Sequence, residues 1–316
     1  MSTHRTRLGR LLVVVTALTM LAAACADDAG TTTTTSAATP ATAAETTTTE
    51  ATTSTTELAA CTVDNLTLVT PGTLTIATGE TTFPPWVGTL DGDFFDEPTS
   101  KTGFESALAY EIAGYLGFSD DQVVWERTGF DEAIIAGPKD WDFNMQQYSV
   151  TPVRDEVVDF SVPYYVTTQA LVVLDGSPYA EAKTIEDLKG AKLGAALGTT
   201  SVDFVDLIIQ PDTPPNVYDE NFDVVSAMNA GQIEGLVVDL PTAYYVTSAQ
   251  VEGSVIAGKF DADAAQPDEY GLLFAEGNPL VGCVNEAINS LLADGTIDNL
   301  ITEWLEQGGG INVITG

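Results

Sequence analysis

Beyond residue 60 two patterns alternate along the chain. Short apolar runs fit buried strands, and longer stretches with apolar residues at three- to four-residue spacing fit amphipathic helices. "TLTIAT" (73–78) predicts a buried strand. "TGFESALAYEIAGYLGF" opens with Thr102 three residues before Glu105, the spacing of a capping box, and sets Phe104, Leu108, Ile112 and Leu116 on one helical face. "VVWE" (123–126) predicts a second strand, "FDEAIIAGP" a short helix stopped by Gly137 and Pro138, and "FNMQQ" a third strand. Strands and helices in this order predict a parallel sheet covered by helices.

A second unit of the same kind follows. It has "KLGAAL" (192–197), a helix from Val202, "NVYD" (216–219), a helix from Asn221 and "GLVVDL" (235–240). The extended run "TTQALVVL" (167–174) lies between the units. After the second come a strand "YGLLF" (270–274) and a helix from Pro279 with Leu280, Val284, Ile288 and Leu291 on its core face. Two α/β units joined by two extended crossings predict two lobes with a cleft between them. The boundaries expected are 59–167 with 269–316 for the first lobe and 168–268 for the second.

The N-terminal residues have another character. Arg5, Arg7 and Arg10 precede an apolar run from Leu11 to Ala24, too short to span a bilayer and ending in small residues before Cys25, so residues 1–24 read as a secretory signal. The ending "LAAAC" resembles a bacterial lipobox, whose cysteine is lipidated and becomes the new N-terminus. Residues 25–58 are Thr and Ala with scattered acids, a composition that predicts a disordered tether, open to O-glycosylation.

Charge narrows the function. The chain carries 46 acidic residues against 11 Lys and Arg, and loss of the signal removes three of those bases, leaving eight. Nucleic acid and anionic lipid surfaces would repel such a chain. The one histidine, His4, lies in the signal, so Ser/His and Cys/His catalysis and the usual zinc sites are excluded from the mature protein. No metal and no cofactor is expected. If Cys25 is lipidated, Cys61 and Cys283 remain as an even pair in an oxidising compartment, which predicts a disulfide; two separately buried thiols are the alternative.

Ligands of parallel sheets bind beyond the carboxyl ends of the strands. Four such segments carry candidate chemistry. "GETTFPPW" (79–86) presents Phe83 and Trp86, or simply packs as a loop. In "QQYSVTPVR", Thr151 and Pro152 fit the N-cap and N1 positions of a short helix carrying Arg154, which could equally pair at the surface with Asp155 or Asp159. "GTTS" (198–201) opens a helix whose free N–H groups can hold a carboxylate, or serves only as a turn. Asp239 ends an apolar strand, as a ligand contact or as a cap for the following helix. Together these segments offer one cation, one anion, N–H donors and aromatic faces. That set complements a free amino acid, with its carboxylate on Arg154 and near Thr199, its ammonium on Asp239 and its body against Phe83 and Phe130.

From "GTLTIATGETTFPPW" through "DFNMQQYSVTPVRDEVVDFSVPYY", "DLKGAKLGAALGTTS" and "GLVVDLPTAYY" to "EYGLLFAEGNPL" and "LLADGTIDNLITEWL", the chain resembles solute-binding proteins of the polar amino acid family of ABC importers. The resemblance covers about residues 72–308. It implies the type 2 periplasmic binding protein fold: α/β, two lobes, each a mainly parallel sheet flanked by helices, joined by two hinge strands. It implies that Arg154 holds the ligand α-carboxylate, that Asp239 holds the α-amino group and that Phe83 and Phe130 form the aromatic platform. Ser149, with Gln146 and Gln147 just before it, falls on the polar segment, Thr199, Thr200 and Ser201 on the helix-start loop, and Glu80 on the acidic side-chain contact. The implied protein is a monomeric lipoprotein outside the cytoplasmic membrane, touching that membrane only through its anchor and delivering an amino acid to permease subunits. An enzyme on the same fold, such as a cyclohexadienyl dehydratase using Glu80 as acid or base, and a surface ligand sensor are the alternatives. Lys101, Arg127, Lys139, Lys183, Lys189, Lys192 and Lys259 all fall away from the predicted cleft, so the expected ligand is polar uncharged or cationic, with glutamine, arginine and lysine as first candidates.

Overall fold

The computed structural model describes residues 61–90, 94–306 and 310–316; the signal segment, Cys25 and the whole Thr-rich tether with it lie outside the described residues. In chain order the first lobe contributes β1 (Leu74–Gly79), α1 (Phe104–Tyr115), β2 (Val123–Thr128), α2 (Phe130–Ile134), β3 (Phe143–Asn144) and β4 (Val158–Phe160). β5 (Tyr165–Thr167) leads out of it. The second lobe holds β6 (Gln169–Leu174), β7 (Leu193–Ala196), α3 (Thr200–Asp203), β8 (Asn216–Tyr218), α4 (Asn221–Asn229), β9 (Gly235–Asp239), α5 (Leu240–Tyr245) and β10 (Ser254–Phe260). β11 (Asp268–Tyr270) returns, followed by β12 (Leu273–Ala275), α6 (Leu280–Ala293), α7 (Thr296–Leu300) and β13 (Val313–Ile314).

Every residue of β1 is buried, as expected for a central strand covered on both faces, and it pairs in parallel with β2 and β3. β12 and β4 extend this sheet antiparallel, giving the order β2-β1-β3-β12-β4. The second sheet runs β13-β10-β6-β9-β7-β8, with β7 parallel to both neighbours and β6 antiparallel to both of its own. β5 and β11 form a separate two-stranded antiparallel ribbon between the sheets. The molecule is therefore a two-lobed α/β structure with two hinge strands, and each lobe closes its parallel unit with antiparallel returns.

Hydrophobic burial follows the sequence periodicity. Phe104, Leu108, Ile112 and Leu116 of the α1 face meet Leu280, Val284, Ile288 and Leu291 of α6 in one core. Burying side chains of this size contributes about 1.5–3 kcal/mol each. α6 is further tied to the N-terminal side by the Cys61–Cys283 disulfide, which spans 222 positions.

Several local expectations differ from the structure. The capping box is not formed: Gly103, with φ of +89°, is the N-cap of α1, and its missing Cβ makes room for the Trp86 carbonyl, while Glu105 turns into the protein. The strand read as 270–274 breaks at Gly271, where a Cβ would strike Val150 and the Ser161 carbonyl, so Tyr270 ends the hinge ribbon and Leu273 begins β12. β3 is only two residues long. The Thr151–Pro152 segment forms one turn rather than a helix, with the Thr151 hydroxyl accepting the Arg154 N–H at 3.3 Å. The last residues, expected in the first lobe, instead pair β13 with the edge of β10, and Asn312 donates to the carbonyls of Ala182 and Ala257. Covering an otherwise open sheet edge is the physical reason for that return.

The disulfide gives the first prediction. In protein lacking Cys25, alkylation should modify no cysteine until reduction and two afterwards, read by mass spectrometry. The Cys61→Ser, Cys283→Ser variant should lose up to about 5 kcal/mol in denaturant unfolding, the chain-entropy value for so long a loop.

Candidate functional site

The cleft encloses about 100 Å³, and its walls come from strand ends of both lobes. Thr81, Thr82 and Phe83 follow β1, and Gln146, Gln147, Ser149 and Arg154 follow β3. From the second lobe come Thr199, Thr200 and Ser201 after β7, Asp219 and Glu220 after β8, and Asp239 at the end of β9. The wall thus follows the rule that ligand chemistry gathers beyond strand carboxyl ends.

Arg154 runs inward and is 8% exposed. Its Nη1 donates to the Ser149 carbonyl at 2.6 Å and its Nη2 to the Gly198 carbonyl at 2.8 Å, so one side chain joins the two lobes. The guanidinium lies 5.4 Å from the centroid of Phe130, which stacks on Tyr148. No ion pair holds it among the described residues, where the ion pairs are Lys101–Asp120, Arg127–Asp96 and Lys183–Glu181. Surface pairing with Asp155 or Asp159 is therefore overturned; Asp159 accepts the N–H groups of Gly277 and Asn278 instead. Burial lowers the Arg154 pKa, and the Asp268 charge works against that fall. Of its five N–H donors, three stay uncommitted to these carbonyls.

Gly198 permits this approach. Its φ is +70°, and a Cβ there would lie 1.8 Å from Asp131 Oδ1 of α2.

Asp239 caps the following helix and also stands on the cleft wall. Its Oδ1 accepts the Thr242 N–H at 2.9 Å as N-cap of α5, and it also lines the cavity, 8% exposed. Burial pushes its carboxyl up to about 6, and the nearby Asp268 charge adds to the rise. Trp86 Nε1 donates to Thr242 Oγ1 at 2.9 Å and so carries the first-lobe loop onto the start of α5. Phe83 stacks on Tyr245 with centroids 5.4 Å apart and meets Phe222 edge-on at 6.0 Å.

Gln146 accepts from the Tyr148 hydroxyl at 2.9 Å. Gln147, with φ of +51°, donates its N–H to Glu105 Oε1 at 2.9 Å and its side-chain amide to Glu105 Oε2. Tyr164 also donates to Glu105, which is 1% exposed and whose carboxyl burial pushes up to about 7, with the Asp239 charge adding. Ser149 and Thr200 touch across the cleft at 3.3 Å.

The structure brings together on one wall all the sequence-selected cleft residues except Glu80. Glu80 is exposed and off the cavity wall: Gly79 and Thr81 on either side of it face inward, and alternation at a strand end sends it outward. Sequence reasoning missed Gln169, Asp219, Glu220, Phe222 and Tyr270. A glutamine opening the apolar run "ALVVL" was the available signal for Gln169. Among the described bases, Arg154 alone lines the cavity; Arg127 is turned toward the Gly79 carbonyl and Asp96.

With this geometry, comparison with known proteins becomes informative. The family model of bacterial extracellular solute-binding proteins, family 3, matches residues 78–307. The chain belongs to this family. Relatives of this solute-binding protein include the L-cystine-binding protein of Escherichia coli strain K12, 27% identical over 74% of this chain and 82% of the relative. The glutamate-binding protein of Corynebacterium glutamicum is 31% identical over 64% of this chain and 72% of its own length. Among solved structures, an ancestral arginine-binding protein bound to arginine superposes with a TM-score of 0.61 at 29% identity, covering 74% of this chain and 98% of that one. An ancestral amino acid-binding protein described as a precursor of cyclohexadienyl dehydratase gives 0.59 at 26% identity, covering 74% and 96%. These likenesses carry the type 2 periplasmic binding protein fold, and no helix among the described residues is long and apolar enough to cross a membrane.

Glu105 and Asp239 make stability pH-dependent. Both hold a proton more tightly in the folded protein than their ordinary values of 4.5 and 3.8 imply. Their contribution to stability is fully present below those values and is lost as pH rises through about 6 for Asp239 and about 7 for Glu105. Calorimetric scans of ligand-free protein should therefore show the melting temperature falling between about pH 4 and pH 7 and levelling above that. The Glu105→Gln, Asp239→Asn double variant should flatten that fall; an unchanged slope would place the titration elsewhere.

Proposed function

We propose that this solute-binding protein captures a free amino acid between its lobes and delivers it to an ABC importer outside the cytoplasmic membrane. One observation carries the reading. The cleft holds a guanidinium and a carboxylate, each nine-tenths buried and each without an oppositely charged protein partner among the described residues. Burying a lone charge costs several kcal/mol, and a zwitterion satisfies both at once. Arg154 takes the α-carboxylate through its remaining N–H donors, assisted by Ser149 and the turn of Thr199, Thr200 and Ser201. Asp239 takes the α-ammonium. Phe83 and Phe130 cover the ligand body, with Gln146 and Gln147 at its polar flank.

The walls also speak to the ligand side chain. Besides Asp239 they carry Asp219 and Glu220, and Arg154 is their single base. A ligand with a second carboxylate would find no counter-charge, whereas an amide, ammonium or guanidinium would find acceptors. Glutamine, arginine and lysine are the ligands this arrangement favours. Catalysis is the weaker reading, because the carboxylate chosen from sequence as its acid or base, Glu80, is off the wall, and the relatives named above are binding proteins.

Titration calorimetry against the L-amino acids tests this. Glutamine, arginine or lysine should bind at least tenfold, about 1.4 kcal/mol, more tightly than glutamate or aspartate. Arg154→Ala should lose several kcal/mol of affinity with an unchanged circular dichroism spectrum, and Arg154→Lys should recover only part, since an ammonium lacks the planar fork. Near-native affinity in the alanine variant would overturn the clamp, and preference for glutamate would overturn the side-chain assignment.

The proposal includes a lipid anchor at Cys25, supported by the "LAAAC" ending and the tether that follows. Cell fractionation should find wild type with the membrane and Cys25→Ala in the soluble fraction.

A further inference from the structure

One polar side chain in the cleft has no role in the grip just described. Gln169 opens β6, is 5% exposed and sits directly across the strand pair from Asp239. Its Nε2 donates to Asp268 Oδ2 at 2.7 Å and to Thr200 Oγ1 at 3.3 Å, and its Oε1 accepts from Ser201 Oγ at 2.8 Å. The orientation of the amide follows from its partners. An ionised carboxylate only accepts, so the NH₂ group faces Asp268 and the carbonyl faces Ser201. Both amide hydrogens and the oxygen are thereby committed.

These three partners belong to different parts of the molecule. Asp268 lies on β11 of the hinge ribbon, and Thr200 and Ser201 open α3 in the second lobe. Thr200 continues the chain of bonds to Ser149 of the first lobe at 3.3 Å. Because Thr200 Oγ1 accepts from Gln169, its own hydrogen can go to Ser149. Asp268, Gln169, Thr200 and Ser149 thus form one path from the hinge through the second lobe to the first. The same amide covers Asp268, whose charge reaches both Arg154 and Asp239.

We propose that Gln169 is a positioning residue that couples the hinge to the ligand grip, holding Thr200 and Ser201 in place when the lobes close and so slowing ligand release. This rests on reading the cleft as the amino acid site. An amide is required because the position needs a donor toward Asp268 and an acceptor toward Ser201 together. Alanine offers neither, and a carboxylate offers only the acceptor until it is protonated.

The test uses the mature protein with L-glutamine and L-arginine as probes, together with fluorescence transfer between labels on the two lobes. Gln169→Ala should raise the dissociation rate by about tenfold or more, in keeping with losing hydrogen bonds of which one is to a charged group, and should shift the lobe distance toward open; because the variant also loses buried bonds in the free protein and melts lower, both are read well below its melting temperature. Gln169→Glu should be as poor as alanine at high pH, where the introduced carboxylate faces Asp268 and Asp239. It should recover relative to wild type as pH falls, because protonation restores a donor to Asp268; the introduced carboxyl is coupled to Asp268 and Asp239 and faces the Arg154 cation, so the pH-dependent ratio to wild type reports the new carboxyl together with the groups it couples to. Wild-type release and lobe distances in Gln169→Ala would overturn the proposal, as would a Gln169→Glu profile parallel to wild type. If wild type binds none of the amino acids, the amino acid reading fails, and the lobe distances alone then decide whether Gln169 governs closure.

Discussion

The arrangement of the cleft depends on the solvation of one buried guanidinium. A cation taken out of water keeps its charge only where the protein replaces the lost hydration, and Arg154 finds that replacement in two carbonyls and an aromatic face. The carbonyls belong to Ser149 and Gly198, on opposite lobes. In this arrangement the groups that replace the arginine's hydration come from both lobes at once. Glycine suits position 198, since φ there is +70° and a Cβ would force the Asp131 carboxylate to move.

The carboxylates around the arginine obey the complementary constraint. Asp239 and Glu105 are buried, and burial raises the proton affinity of each, with the Asp239 charge adding to the rise at Glu105 and the Asp268 charge to that at Asp239. The protein manages them with neutral donors: the Thr242 N–H for Asp239, and Gln147 and Tyr164 for Glu105. Neutral donors satisfy lone pairs without cancelling charge. An uncancelled negative potential is what remains, and under the proposed function it is what attracts the ligand's ammonium; internal salt bridges in the cleft would have removed it.

Much of the fold was legible because burial imposes periodicity. The four-residue spacing of Phe104, Leu108, Ile112 and Leu116, and that of α6, matched faces that are in fact buried. The cleft residues were legible for a different reason: polar or charged side chains just past apolar strands have few purely structural uses. What failed was decided by contacts distant in sequence. Thr102 and Glu105 have capping-box spacing whether the carboxylate turns back to the helix start or inward to Gln147, and only the approach of Trp86 to Gly103 selects the inward course. Gly271 breaks a strand because of Val150 and Ser161, and β13 joins the second sheet because β10 has an edge to cover. Gln169 escaped notice because its partners, Ser201 and Asp268, lie 32 and 99 positions further along the chain.

Closure in this protein does not rest on the arginine alone. Trp86 bonds to Thr242, Phe83 stacks on Tyr245, and Ser149 meets Thr200, each pairing a first-lobe group with a second-lobe group. These contacts are made between protein groups whatever occupies the cleft, so they stabilise the closed form by a fixed amount. A ligand shifts the equilibrium only by the difference between its affinities for the closed and open forms. The larger the fixed contribution, the less of that difference is spent on closing and the more appears as affinity, because apparent binding is weakened in proportion to the scarcity of the competent form. The same contacts set a limit in the other direction. Cross-lobe bonds much stronger than these would keep the cleft shut, and among the described residues the seam is built from aromatic contacts and single hydrogen bonds rather than from ion pairs.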